Sequence, residues 1–242
     1  MSKPGLSSED LALLRKYDTP TICNVIELFQ VRPRDAGYTD SRIQACYPEM
    51  PPMVGYASTV TMRASAPAQG DVYSTMDRQV ASFSEVPGPP VVVFQDLDSP
   101  SVAATFGEVM CSVYQTFGAV GLVTSGTGRD LDQVRALGFP AFTNGAIASH
   151  GYNHMVDLGR TVHVGGIAIF PGDLLHGDCN GVAVIPGDIA SDVAHICEEF
   201  VAAEQVILDY LKTDNPTPAG LGEARAESTR LIAALGERVR GK

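Results

Sequence analysis

No stretch of this 242-residue chain reaches the roughly 18 consecutive apolar residues that a membrane-spanning helix needs, so no span is expected. The opening MSKPGLSSED carries no apolar core, so no signal peptide is expected either. Cysteine is sparse. The five residues Cys23, Cys46, Cys111, Cys179 and Cys197 are odd in number and contain no C-x-x-C spacing, which reads as reduced thiols in a cytoplasmic protein. Basic charge is outweighed, with 17 Lys and Arg against 28 Asp and Glu and a net charge of -11. That balance excludes a general nucleic-acid binder, which needs clustered cations to meet phosphates, and it means that an anionic ligand requires a local cation to offset the field of the whole chain. Phosphate and dinucleotide loops are missing as well: GTGRDL lacks the third glycine of a G-x-G-x-x-G turn, and neither a GK[ST] loop nor a nucleophile elbow occurs. No internal repeat or low-complexity segment interrupts the chain, and no compositional shift marks a linker.

What is present is a globular composition, 45% hydrophobic and 19% charged, enough to bury a core without disulfides. LSSEDLALLRKY reads as a short helix capped by Ser7 or Ser8 with acids in its first turn. DTPTICNVIELF reads as a second helix, with Thr19 as cap, Pro20 in the first turn and Ile22, Val25, Ile26 and Phe29 at helical spacing. Residues 32–53 read as a loop. GYASTVTMRA alternates as a half-buried strand does. From residue 87 strands and helices alternate: PPVVVFQDLD and AVGLVTSG are buried strands, GEVMCSVYQTFG and DLDQVRALG are helices with glycine stops, and FPAFTNG is a third strand. Thr161–Val164, Ile167–Phe170 and Val182–Ile185 read as further strands. A long helix is expected from Ile189 to Leu211 and a last one from about Gly222, after the interruption PTPAG. The expectation is one α/β domain over residues 1–242, with a β-rich centre flanked by helices.

Candidate chemistry gathers at strand ends. One buried strand ends in Asp96 and Asp98, and the next runs into Arg129 and Asp130. Sites in α/β sheets form beyond the carboxyl ends of strands, so Asp96, Arg129 and Asp130 are expected to converge. Between them lies FGEVM, a glycine leading into a helix whose first backbone N–H groups could receive a carboxylate. Each residue has a structural reading too. Asp130 with Gln133 forms D-x-x-Q, close to a capping box, and Glu108 in a first turn is a favourable dipole partner. Asp96 could close a turn and Arg129 could join a surface ion pair. His150 and His154 stand four apart as metal ligands on a helix would, but Gly151 and Asn153 between them favour a loop. His176 falls where a strand is expected to end, bordering either a pocket or solvent, and Cys111 reads as core.

Taken together, DTPTICNVI, VVVFQDLD with FGEVM, GAVGLVTSGTGRDLDQV and VGGIAIFPGDLLHGDCNGVAVIP resemble, in order, the motifs of the RraA-like family, which includes class II 4-hydroxy-4-methyl-2-oxoglutarate aldolases. The resemblance spans roughly residues 17–210. It implies an αββα sandwich assembled as a homotrimer or hexamer with sites in the clefts between subunits. It also implies a divalent metal, Mg2+ or Mn2+, on Asp130. Arg129 would meet the oxo group and carboxylate of a 2-keto acid. Gly107, Glu108, Val109 and Met110 would offer backbone N–H groups to the carboxylate, the Glu108 side chain would hold a catalytic water, and Glu204 of a C-terminal helix would reach a neighbour's site. The implied reaction is carbon–carbon cleavage in a 2-keto acid through a pyruvate enolate, as aldolase or as oxaloacetate decarboxylase, since both leave the same enolate.

The chain departs from the family at three points. Gln133 stands where the aldolases carry Asp or Glu, bringing less charge to hold an ion. Asn24 replaces a helix Asp, and GEVM lacks the usual Asn. Two other readings stay open: a metal-free regulator that binds a ribonuclease, as RraA does, and a lyase or hydrolase of another small acid on the same scaffold. Retention of Arg129 with Asp130 favours an enzyme, because a binding surface has no need of that pair.

Overall fold

A computed structural model describes residues 5–70 and 74–241. The expectation about the N-terminal stretch rests partly on residues 1–4, which lie outside the described residues. The helices are α1 (Ser8–Leu14), α2 (Thr19–Phe29), α3 (Met76–Ala81), α4 (Glu108–Thr116), α5 (Leu131–Ala136), α6 (Ala190–Tyr210) and α7 (Pro218–Arg240). The strands are β1 (Gln44–Ala45), β2 (Met53–Arg63), β3 (Pro90–Asp96), β4 (Ala104–Phe106), β5 (Gly121–Thr124), β6 (Thr127–Gly128), β7 (Ala141–Thr143), β8 (His154–Leu158), β9 (Val162–Val164), β10 (Ile167–Ile169), β11 (Leu174–Asp178) and β12 (Gly181–Ile185).

One eight-stranded sheet runs β1-β7-β5-β3-β2-β11-β12, with β8 also paired to β2. Its centre, β2, β3, β5 and β7, is parallel, so the carboxyl ends of these strands point the same way. The sheet is nearly closed: a Cβ added to Gly177 of β11 would lie 2.9 Å from the Phe142 ring of β7, four strands away in the order. Val91, Val93, Val123 and Leu175 line the inner face, which the β9–β10 hairpin plugs with Val162, Val164 and Ile169. On the outer face Val92, Phe94 and Leu122 pack beneath Cys111 and Tyr114 of α4 and Val134 of α5. Helices α1, α2, α6 and α7 form a separate layer over Val54, Tyr56, Leu174 and Ile185. The expected mixed α/β class with a β-rich core and flanking helices is therefore what folds. No described helix is long and apolar enough to cross a membrane.

Several local expectations needed correction. Thr19 is not the cap of α2; Asp18 is, accepting from the Thr21 N–H at 2.9 Å, while Pro20 lies in the first turn as expected. The alternating segment from Gly55 is not half-buried. β2 is covered on both faces from Met53 to Met62, because the alternation Ser58, Thr59, Thr61 sets small hydroxyls among core residues rather than facing water. Strand β8 occupies residues that read as a loop or carry no assignment, and β11 runs on past His176, where a strand is expected to end, as far as Asp178. His176 sits inside β11 and is fully buried. Its Nδ1 is 2.9 Å from Thr19 Oγ1 and its Nε2 3.1 Å from the Leu14 carbonyl, so the ring ties the helical layer to the sheet. The last helix starts at Pro218, earlier than Gly222, because Thr217 caps it by accepting from the Gly220 N–H.

Candidate active site

The site is built by a two-stranded sheet apart from the main one. β4 and β6 pair in parallel, Ala104 opposite Thr127 and Phe106 opposite Gly128. Both strands therefore end side by side, one delivering Gly107 and α4, the other Arg129 and Asp130. The Arg129 N–H donates to the Phe106 carbonyl at 3.1 Å, fixing the register. The packing is tight enough to require glycine. A Cβ on Gly128 would lie 2.2 Å from the Phe106 ring, and one on Gly107 would lie 2.5 Å from Asp130 Oδ2 and 3.2 Å from Arg129 Nε. Gly107 is extended, at φ -158°, so its requirement is space and not a left-handed backbone.

Beneath the pair, buried threonines hold the loop. Thr105 Oγ1 is 2.9 Å from Thr124 Oγ1 and donates to the Thr127 carbonyl, Thr127 Oγ1 donates to the Ala103 carbonyl, and Thr143 Oγ1 donates to the Gly126 carbonyl. Buried hydroxyls that find carbonyl partners in this way fix a loop at little cost, whereas unpaired ones would be expensive. None of these threonines stands out in the sequence. The signal available is their recurrence in ATF, VTSGT and FTN around the strand ends.

Asp130 corrects the capping-box reading. It occupies the position before α5, yet at φ 54°, ψ 41° it is left-handed and makes no side-chain bond to its own helix. A capping side chain works from the extended region, and the left-handed backbone turns the carboxylate away from the first turn of α5. It points instead across to α4, where Asp130 Oδ2 accepts the Glu108 N–H at 3.1 Å. Asp130 thus stabilises the N-terminus of the neighbouring helix and faces its positive dipole end. Arg129 Nε stands 3.7 Å from the same oxygen, and both side chains are about a third exposed. An ion pair so open to water contributes little to stability, leaving both groups available to a ligand.

The other candidates distribute as follows. Glu108 and Val109 are exposed on the first turn of α4, Val109 at 72%, while Met110 packs partly into the core below. Gln133 is exposed on α5. Asp96 ends β3 against Gly126, where its carboxylate accepts the Asp98 N–H at 2.9 Å and its own N–H donates to Ser125 Oγ. Burial pushes the Asp96 carboxyl above the ordinary range; hydrogen bonds from Ser101 and Asp98 pull it back in part, and the charge of Asp98 adds to the rise. Asp96 therefore packs against the loop at Gly126, held by Ser125 and Asp98. Glu204 lies half-buried on α6, where burial and then the charge of Asp18 raise its carboxyl, so within one copy it belongs to the helical layer.

Among the described residues no group of three or more His, Cys, Asp or Glu side chains is placed to hold a metal. That includes His150 and His154. A site with one open carboxylate still fits Mg2+ or Mn2+, which bind through one or two carboxylates and keep several waters, with further oxygens supplied by a chelating ligand. Asp130 meets that requirement, and a protein cage for a softer metal is not on offer.

Comparison with known proteins agrees on the fold. A family model described as "RraA-like: Aldolase/RraA" matches residues 19–184. A Halalkalibacterium halodurans protein named "Putative 4-hydroxy-4-methyl-2-oxoglutarate aldolase" is 33% identical over 135 residues, 55% of this chain and 60% of that relative's length. The chain thus spans well under the full length of that curated relative. Among solved structures, an uncharacterized protein from Pseudomonas syringae pv. tomato aligns with a TM-score of 0.73 at 21% identity, covering 93% of this chain and 96% of its own. Streptomyces coelicolor RraAS2, described as an unusual member of the RNase ES inhibitor RraA protein family, aligns with a TM-score of 0.65 at 24% identity, covering 84% and 97%.

Proposed function

The chain belongs to the RraA-like family, and from that premise we propose that it is a divalent-metal-dependent lyase that breaks a carbon–carbon bond in a small 2-keto acid. The observation that carries this reading is the Arg129–Asp130 pair held against the start of α4 by the β4–β6 pairing. A regulatory surface has no use for a buried threonine scaffold that aims one cation and one carboxylate at a helix N-terminus.

In this reading Asp130 holds Mg2+ or Mn2+, which, when bound, draws electron density from the 2-oxo group. Arg129 adds a permanent planar charge that meets the oxo oxygen and adjoining carboxylate. The first turn of α4, Gly107 to Met110, offers backbone N–H groups and the positive end of the helix to the same carboxylate. In an aldol cleavage the C4 hydroxyl loses its proton, the C3–C4 bonding pair moves onto the pyruvate unit, and C3 is then reprotonated. The exposed Glu108 carboxylate would position the water that carries the proton. Arg129 faces the oxyanion that develops, the stage at which a fixed charge lowers the barrier most. Loss of CO2 from oxaloacetate leaves the same unit and needs no proton abstraction. The working assembly in this reading is a homotrimer or hexamer, with Glu204 of one copy completing a neighbour's site.

The name of the H. halodurans relative supports 4-hydroxy-4-methyl-2-oxoglutarate as the first substrate to try. With Mg2+ or Mn2+ the purified protein is expected to release pyruvate from that compound or from oxaloacetate, read by coupling to lactate dehydrogenase, and EDTA is expected to stop it. Absence of pyruvate from both substrates at saturating metal would overturn the assignment.

A further inference from the structure

The chain has five asparagines, Asn24, Asn144, Asn153, Asn180 and Asn215, and two of them precede glycine. An asparagine side-chain amide can be attacked by the backbone nitrogen of the next residue, and glycine adds no Cβ to shield that nitrogen. The attack needs an N–H on the next residue, that N–H free of other bonds, and a side chain free to turn back on it. Asn215 fails the first condition, since Pro216 has no N–H. Asn24 lies inside α2 and precedes the β-branched Val25. Asn153 precedes His154, and its Nδ2 donates to the Ala104 carbonyl at 2.6 Å.

The two Asn-Gly pairs sit in opposite settings. Asn180 lies in the turn between β11 and β12. Its Nδ2 donates to Asp178 Oδ1 at 3.1 Å and its own N–H to the same oxygen at 2.8 Å, while Gly181 opens β12 paired with Asp178. Turning this side chain onto the Gly181 nitrogen would break that set. Asn144 follows β7 and is exposed, as is Gly145. Among the described residues neither the Asn144 side chain nor the Gly145 N–H has a hydrogen-bond partner. Gly145 has φ 133°, a conformation that side-chain-bearing residues rarely adopt, so the backbone itself calls for glycine after Asn144.

This exposed pair is tied to the loop that carries the candidate site. The Asn144 N–H donates to the Gly126 carbonyl at 2.9 Å. The Gly145 carbonyl accepts the Gly128 N–H at 3.0 Å and the Thr143 hydroxyl at 3.1 Å. The Ile147 N–H returns to the Gly128 carbonyl at 3.1 Å. Gly128 immediately precedes Arg129 and Asp130.

We propose that Asn144 is a site of spontaneous modification, which converts it to aspartate or isoaspartate and loosens the loop bearing Arg129 and Asp130. The Gly145 nitrogen gives its proton to hydroxide and attacks Asn144 Cγ. The N–Cγ bond forms, the Cγ–Nδ2 bond breaks, and the amide nitrogen leaves as ammonia with a proton from water. Water then opens the five-membered imide at either carbonyl, so the net change is one water in and one ammonia out. The isoaspartyl product runs the main chain through the side-chain carbon and inserts a methylene between residues 144 and 145. The spacing that lets the Asn144 N–H reach Gly126 while the Gly145 carbonyl meets Gly128 is then lost. The inference does not depend on what the site cleaves.

The test ages the full chain in mildly alkaline buffer and maps it by mass spectrometry, with isoaspartyl methyltransferase as a second probe. In the folded protein Asn144 is expected to convert at least about ten times faster than Asn180, the restraint of roughly one hydrogen bond. In urea, where neither pair is held, the two should convert at similar rates. Hydrogen exchange at the Gly128 amide should quicken in the aged protein. It should stay slow in Asn144→Gln, whose longer side chain closes its ring far more slowly, and in Asn144→Ser, which has no amide to lose. The proposal is overturned if folded Asn144 keeps its amide over a period in which the urea-unfolded chain loses it. It is equally overturned if both pairs convert alike in the folded protein, or if converted protein keeps the parental exchange rate at Gly128.

Discussion

Asp130 is asked to do two things at once: to accept the Glu108 N–H and to hold a cation. Asp130→Asn separates them. The amide keeps an oxygen for the Glu108 N–H but carries no charge, so thermal stability should stay within about 1 kcal/mol of the parent, as for exposed substitutions elsewhere. Metal-dependent pyruvate release should fall at least about a hundredfold, in line with losing the sole charged ligand of a site. Parental activity in the Asp130→Asn variant would remove Asp130 from the metal. Gln133 is the complementary case. It is exposed one turn from Asp130, and Gln133→Glu restores the charge that the aldolases carry there. Mn2+ affinity, read by water proton relaxation, should tighten several-fold; unchanged affinity would mean that position 133 does not face the ion. At this scale the sequence is legible in identity but not in direction. Arg129 and Asp130 stand out by their company. The left-handed backbone that aims Asp130 at α4 rather than at α5 has no signature in the residues themselves, since D-x-x-Q fits a cap equally well.

Elements whose ends are set by local chemistry can be read from the chain, and those whose state depends on what covers them cannot. Helices α2, α4 and α6 fall where proline, glycine and apolar spacing put them, because caps and turns act over a few residues. β2 misleads because alternation reports one wet face only when nothing covers the other, and here the helices and the β9–β10 hairpin cover both. β11 continues past the strand end expected at His176, because burial makes that ring a tie between sheet and helices. Burial lowers the His176 pKa from its ordinary value, so the folded chain favours the neutral ring; hydrogen bonding to Leu14 and the charge of Asp178 oppose this in part. The sign follows. Below about pH 6.5, the free-histidine value, the unfolded chain takes up a proton that the folded chain refuses, so stability falls as pH falls. In urea melts, His176→Gln should lower stability at pH 7.5 but flatten the decline between pH 7 and 5; an equally steep decline would place the pH dependence elsewhere. A second prediction at this scale concerns the β4–α4 junction. Gly107→Ala puts a methyl group 2.5 Å from Asp130 Oδ2, so Asp130 or α4 must shift. Overpacking of this kind costs about 1–3 kcal/mol. Activity should fall far more than stability, and equal Tm and activity profiles for the two proteins would show the close approach to be unnecessary.

Over the whole molecule, charge sets a condition on the proposed chemistry. The net charge is -11, and both substrates put forward are dianions at neutral pH, so the protein as a whole repels what Arg129 is meant to receive. The two effects differ in reach. Arg129 acts at contact distance and is little screened, whereas the surrounding acids act over the Debye length, about 30 Å at 0.01 M salt and about 8 Å at 0.15 M. Raising ionic strength with KCl therefore removes more repulsion than attraction. At fixed free Mg2+, kcat/KM should rise between those two salt concentrations, with the change in KM rather than kcat, because bond cleavage takes place inside the contact shell that salt does not screen. Arg129→Lys preserves the charge but loses the planar two-point geometry, so it should lower kcat/KM while keeping the same upward salt dependence. A fall in kcat/KM with added KCl in the parent protein would mean that the local field at Arg129 outweighs the rest of the surface at long range.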